Sequence, residues 1–318
     1  MNWYKYTTPT GAYYSPFAQS KTTVRFYEDP KELVYDLNNS SSAFDLINEN
    51  LVELYEKSTP STDPIDLPCG IYSHEYQSSS SPERLTPMEI REDNYVELLG
   101  SLNNLNETIQ QFIENKAMYE ESKSLYKLGI LLFGPPGTGK TSYLREFIRN
   151  QKDSIVIFLD GVPTRRFLEK LEQSAKGKLK IFVFEEVVSM LEGSEDIRSM
   201  LDFLDGAKSL SNAIYFLSTN YPEEIPENVI RNGRIDVFVR VEFPDVVARN
   251  RLVNLYLKRD ASDKELEVSK DMPIVDIREL CFLHKKTGKS FEECAKIVIE
   301  KTKMIKKHFG KPIEIKLT

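Results

Sequence analysis

The stretch Gly134-Pro135-Pro136-Gly137-Thr138-Gly139-Lys140-Thr141 constrains this chain more than any other. It fits G-x-x-x-x-G-K-[ST], the pattern of a loop that holds polyphosphate. Glycines let backbone N–H groups turn inward around phosphate oxygens, Lys140 reaches the outer phosphates, and the Thr141 hydroxyl can sit on magnesium. The flanks agree. Leu128 to Phe133 is an apolar run that reads as a buried strand entering the loop, and Thr141 to Asn150 has the spacing of a helix leaving it. Such a helix aims its N-terminus at the phosphates. A chance glycine-rich turn would not place strand, motif and helix in register.

A chain of 318 residues has room for about two domains, and its 40% apolar content can fill their cores. The net charge of −7 and pI of 5.3 argue against a protein that holds nucleic acid by charge alone, leaving only a local basic groove as a route to it. Cys69, Cys281 and Cys294 show no pairing or zinc spacing, and His74, His284 and His308 are as scattered; all six read as structural or surface residues. No apolar run approaches the ~18–20 residues of a membrane span, and the start MNWYKYTTPTG has no apolar signal core. Residues 1–27 lack acids, as organelle presequences do, but one arginine among eight aromatics fits that class poorly. These features point to a soluble protein of a reducing, cytoplasmic compartment.

Residues 1–57 read as a small α+β unit. Trp3, Tyr4, Tyr6, Tyr13, Tyr14, Phe17, Phe26 and Tyr27 crowd its start, Thr22 to Tyr27 reads as a strand, and Phe44, Ile47, Leu51, Leu54 and Tyr55 mark one helix. The aromatics either form a local core or anchor a partner; burial is their commoner use. Residues 58–88 turn to Ser, Pro and Gly and read as a linker without periodicity. Beyond it, Leu99, Leu102, Leu105, Ile109, Phe112 and Ile113 line one helix face.

After the loop helix come Ser154 to Leu159 as a second strand, Thr164 to Ser174 as a helix, and Lys180 to Phe184 as a third strand ending in Glu185-Glu186. A buried strand delivering two acids suits phosphoryl chemistry, one acid for magnesium and one to orient the attacking water. Asn212 to Leu217 is a fourth strand, followed by Ser218-Thr219-Asn220, whose amide can bond a water or a terminal phosphate. Arg231 and Arg234, around the glycine turn of RNGRID, read as a solvated basic corner or as fingers that neutralise a transferring phosphoryl group. Val237 to Phe243 is the fifth strand. Helices follow from Val247, with a capping box at Ser290-Phe291-Glu292-Glu293 and a helix end at Gly310. The lysines from Lys301 to Lys311 read as a solvated helix face rather than a nucleic-acid patch.

GPPGTGKT, FVFEE, LDFLDG at 201–206, STN and RNGRID…FPD, in this order, resemble the AAA family of ATPases over roughly residues 90–310. Within it, "FIENKAMYEESKSLYKLGILLFGPPGTGKTS" and "MPIVDIRELCFLHKKTGKSFEECAKIVIEKTK" are most similar to the branch of the mitochondrial Rieske-protein translocase, without an apolar run for its membrane anchor. The resemblance implies an α/β fold: a P-loop NTPase three-layer core with a parallel sheet at 89–245, a C-terminal helical lid at 246–318, and the N-terminal unit as an adaptor. It implies ATP and Mg2+ as cofactors. Gly134, Pro135, Pro136, Gly137, Thr138, Gly139, Lys140 and Thr141 would bind nucleotide, with Thr141 and Glu185 on the metal. Glu186 would orient the water, Asn220 would sense the terminal phosphate, and Arg231 and Arg234 would reach a neighbouring subunit's nucleotide. Asp236 would fix that corner structurally.

Three departures stand out. Glu185 replaces the usual Asp and lengthens the arm to the metal, as in the translocase branch. Val188 replaces a common acid. Asp160-Gly161-Val162-Pro163 lacks the aromatic-glycine pair with which threading members grip a polypeptide. The expected protein is therefore a Mg-ATP-hydrolysing homo-oligomeric ring, six subunits by family default with seven left open by the translocase branch. It would remodel, move or assemble a protein partner. The alternatives are a nucleic-acid-dependent motor or loader, and a nucleotide-gated assembly scaffold.

Overall fold

The computed structural model describes residues 4–8, 11–15, 59–60, 66–75, 83–90, 101–175, 177–205 and 210–309. Among the described residues, five strands precede the first helix: β1 (Tyr4–Thr8), β2 (Gly11–Ser15), β3 (Thr59–Pro60), β4 (Gly70–Glu75) and β5 (Arg84–Pro87). Next come α1 (Ser101–Glu114), α2 (Lys116–Glu121), β6 (Lys127–Phe133), α3 (Lys140–Arg149), β7 (Ser154–Phe158) and α4 (Arg165–Ser174). They are followed by β8 (Leu179–Phe184), α5 (Ser194–Leu204), β9 (Ala213–Thr219) and β10 (Val237–Arg240). Four helices close the described chain: α6 (Val246–Leu257), α7 (Asp263–Val268), α8 (Ile274–Thr287) and α9 (Phe291–Phe309). The class is α/β, with parallel strands separated by helices. The expected strand Thr22 to Tyr27, the helix at 44–55, Leu99 and the helix stop at Gly310 lie outside the described residues.

The chain divides into two compact units. The first holds Met1–Glu89, Gln151–Phe184 and Ser194–Tyr215. In it β8, β7 and β4 run parallel, with Val156 opposite Ile181 on one side and Ile71 on the other. β5, β2, β1 and β3 continue the sheet antiparallel. The apolar runs predicted at β7 and β8 form these strands because both faces are covered: Ile155, Val156, Ile157 and Ile181 to Phe184 are fully buried. Phe203 of α5 stands edge-on to Phe182 at 5.2 Å and to Tyr215 at 5.1 Å.

β4 and β5 correct the reading of 58–88 as a linker without periodicity. Their signal is short and carried by polar-looking residues: in GIYSHE the buried side chains are Tyr72 and His74, and in RLTP only Leu85 is buried. A local pattern of this kind falls below what alternation can reveal. The strands form because β7 offers a ladder, and because Glu83, 4% exposed, fastens them to the start of α4. Its carboxylate accepts from Thr164 N at 2.8 Å, from the Thr164 hydroxyl, and from His74 Nε2 at 3.1 Å. Burial alone would raise the Glu83 pKa; the bonds from His74 and Thr164 outweigh it and hold it below the ordinary carboxylate value.

The second unit holds Ile90–Asn150, Glu185–Gly193 and Phe216–Thr318. β10 pairs parallel with β6, from Val237 opposite Ile130 to Arg240 opposite Phe133. It stops short of the predicted end at Phe243 because β6 turns away at Gly134; Val241 N to Phe133 O, at 2.8 Å, is the last rung. α1 buries Leu102, Leu105, Ile109 and Phe112, the face its sequence predicts. Gly129 sits in β6 where a Cβ would stand 1.9 Å from Arg234 O, so only glycine lets the 228–236 corner close on the strand. α6 to α9 build a separate core from Leu252, Val253, Met272, Ile277, Leu280, Cys281, Phe291, Cys294, Ala295 and Val298. α9 opens on the expected capping box, with Ser290 N on Glu293 Oε2 at 3.0 Å and Glu293 N on Ser290 Oγ at 3.3 Å.

Candidate active site

β6 delivers the chain into residues 134–139 and α3 carries it away. Gly139 is the N-cap of α3, at φ 100°, a conformation L side chains rarely adopt. No side chain caps this helix, so its first-turn N–H groups face the loop without a side-chain acceptor. Thr138, fully buried, braces the turn by donating its hydroxyl to Pro135 O at 2.9 Å. The start of α8 reaches the same loop, with Val275 N donating to Gly137 O at 3.4 Å.

Lys140 is 6% exposed, and its ammonium donates to Gly134 O at 2.8 Å, Pro135 O at 3.0 Å and Asn220 Oδ1 at 2.7 Å. All three acceptors carry partial negative charge, so an ion with little access to water stays solvated by the protein. Burial pushes the Lys140 pKa down, and the neighbouring Glu186 charge opposes that shift.

Asn220 follows β9, whose seven residues are all buried and hold its backbone firmly. Its side-chain amide donates to Glu186 Oε1, and its backbone N–H to Glu186 Oε2 at 3.4 Å. Glu186 itself, just past β8, takes φ 52° and ψ 54°, a left-handed backbone that costs a non-glycine residue on the order of 1 kcal/mol. Ser189 supports that turn: its N–H, at 3.0 Å, and its hydroxyl, at 2.8 Å, both donate to Glu186 O. The conformation turns the Glu186 side chain to Asn220.

The structure thus brings together Lys140, Asn220 and Glu186 in one bonded set. Thr141, half-buried, follows the lysine on α3, and Glu185, half-buried, precedes Glu186. Arg231 and Arg234 belong to a different feature, the corner before β10. Arg231 is exposed, while Arg234 is half-buried and its guanidinium donates to Asn228 O. Asp236 fixes that corner: its Oδ2 accepts from Gly129 N at 2.8 Å, and its own N–H donates to Gly129 O at 2.8 Å. Buried ammonium, uncapped helix N–H groups and a carboxylate beyond them suit a polyphosphate with a divalent cation.

Sequence reasoning did not find the bond between Lys140 and Asn220, which joins residues 80 apart, nor Ser189 as a brace for Glu186. No local pattern signals either. Sequence reasoning also passed over Gly129, whose signal, a glycine inside the apolar β6 run, marks a close backbone approach.

Comparison with known proteins agrees with this geometry. The family described as "ATPase family associated with various cellular activities (AAA)" matches residues 130–243. The chain is 26% identical over 181 residues to the ATP-dependent zinc metalloprotease FtsH 1 of Conexibacter woesei, covering 50% of this chain and 28% of that protein. It is 30% identical over 148 residues to the probable mitochondrial chaperone bcs1 of Schizosaccharomyces pombe, covering 42% and 32%. It is 26% identical over 181 residues to the vesicle-fusing ATPase of Dictyostelium discoideum, covering 44% and 23%. The match spans less than a third of each relative's length. Loop, acids and asparagine all fall inside residues 130–243, the segment that matches the AAA ATPase family, and an ATPase domain of that kind implies ATP and Mg2+ as its cofactors.

Proposed function

We propose that this chain is a Mg-ATP-hydrolysing ring subunit that remodels, moves or assembles a protein partner. The observation that carries the chemistry is the joining of the loop lysine, Lys140, to the carboxylate of Glu186 through Asn220. Bound Mg-ATP supplies a phosphoanhydride whose developing charge must be neutralised. The chain's part is positioning. The N–H groups of 134–141 and the Lys140 ammonium hold phosphate oxygens, Thr141 and Glu185 hold magnesium, Glu186 orients water, and Asn220 contacts the terminal phosphate. Arg231 and Arg234 serve a neighbouring subunit's nucleotide, which makes the ring a catalytic requirement. Six subunits is the expected number, with seven the alternative.

Action on a protein draws support from the relatives, whose names describe proteases, a chaperone and a vesicle-fusing ATPase. Residues 1–57 would select the partner. Among the described residues no helix is long and apolar enough to cross a membrane. The test is Lys140→Ala in the full chain, read by calorimetry with ATP. Binding should fall below detection, because the loop loses the one cation set among its carbonyls. ATP binding at wild-type affinity would contradict the assignment.

A further inference from the structure

Asn220 stands between a group that can only donate and a group that can only accept. The Lys140 ammonium has no acceptor and the Glu186 carboxylate no donor, whereas a carboxamide carries one of each. Its orientation is therefore determined: Oδ1 faces Lys140 Nζ at 2.7 Å, and Nδ2 faces Glu186 Oε1. The backbone N–H of the same residue takes the other Glu186 oxygen. One residue at the end of a fully buried strand thus occupies both oxygens of the carboxylate and one proton of the ammonium.

We infer that Asn220 is a latch that nucleotide must open. While it bridges the two, Lys140 is held from phosphate and Glu186 from water. Transfer of Lys140 to a phosphate oxygen breaks the Oδ1 bond, frees the carboxamide to rotate, and releases Glu186 for catalysis. The ammonium keeps its proton and the carboxylate its charge throughout; only hydrogen bonds are exchanged. Ser189 holds the Glu186 backbone in place, so release is a side-chain movement. The inference rests on the ATPase reading and adds an order of events to it: phosphate binding precedes readiness of the water-orienting group.

The latch makes a prediction that terminal-phosphate sensing does not. ADP has no terminal phosphate to sense, yet it must still draw Lys140 from Asn220. Calorimetry with Mg-ADP on the full chain should show Asn220→Ala binding about tenfold tighter than wild type, the effect of one charge-assisted hydrogen bond no longer broken on binding. Asn220→Asp, which pairs with Lys140 more strongly, should bind ADP about tenfold more weakly. ATP turnover should fall in both variants. Unchanged or weaker ADP binding by Asn220→Ala, at wild-type thermal stability, would overturn the latch while leaving the ATPase reading intact. Should Asn220→Ala fail to fold, Asn220→Ser replaces it, with the same sign required. A wild-type chain that binds no ADP would remove both readings.

Discussion

Gly129 decides where the corner bearing Arg231 and Arg234 sits. Its N–H and C=O are both taken by Asp236, and its missing side chain leaves room for Arg234 O. A Cβ at 1.9 Å from a backbone oxygen cannot be relieved by rotating a side chain, so strand or corner must move. Gly129→Ala should therefore destabilise the fold by about 1–3 kcal/mol, as overpacking does. Denaturant titration would show this as a lowered midpoint at unchanged slope; an unchanged midpoint would mean that the corner is not held as described. The same scale separates readable from unreadable features. The loop was read from its composition, whereas the glycine in LGILLF, a mark of close approach, was read only as part of an apolar strand. The partners of Lys140 could not be read, because a lysine in such a loop looks the same whether its ammonium meets a carbonyl, an amide or a ligand.

Among the elements, α7 carries a titratable feature that the active site does not use. Ser262 caps the helix, and Glu265 returns the bond to Ser262 N at 2.9 Å, completing a capping box. Arg259 grips the same carboxylate with two bonds, of 2.8 and 2.6 Å. The Arg259 hydrogen bonds above all, with those from Ser262, outweigh the cost of burial and pull the Glu265 pKa from 4.5 to about 2. A carboxylate lowered by folding contributes stability that is fully present above pH 4.5 and lost as pH falls through about 2. Wild-type stability should thus fall more steeply between pH 4.5 and 2 than that of Glu265→Gln, as thermal melts of the full chain would record. Parallel curves would remove the ion pair as a source of stability.

Legibility at this scale followed burial on both faces. The β6 to β9 runs were visible because nearly every side chain in them is apolar and buried. The capping box at Ser290 and Glu293 was read from its spacing, while the one at Ser262 and Glu265, with the same spacing on a helix of six residues, was not. β4 and β5 stayed hidden because partnering with β7 and the bonds of Glu83, rather than their own pattern, hold them.

For the whole molecule, the central claim is that one set of residues binds Mg-ATP and a single acid within it turns that nucleotide over. Partner, ring and N-terminal unit matter functionally only if this holds. The two adjacent acids offer the sharpest division. Glu186 has its carboxylate on Asn220 and its backbone braced by Ser189, whereas Glu185 is the acid assigned to the metal. The most direct measurement is steady-state ATP hydrolysis by the full chain at saturating Mg-ATP, paired with ATP binding by calorimetry, for wild type, Glu186→Gln and Glu185→Gln. Glu186→Gln should bind ATP as wild type does and lose turnover by about 10²-fold or more. Glu185→Gln should lose the dependence of binding on magnesium. Wild-type turnover in Glu186→Gln, with hydrolysis lost only in Glu185→Gln, would contradict the central claim.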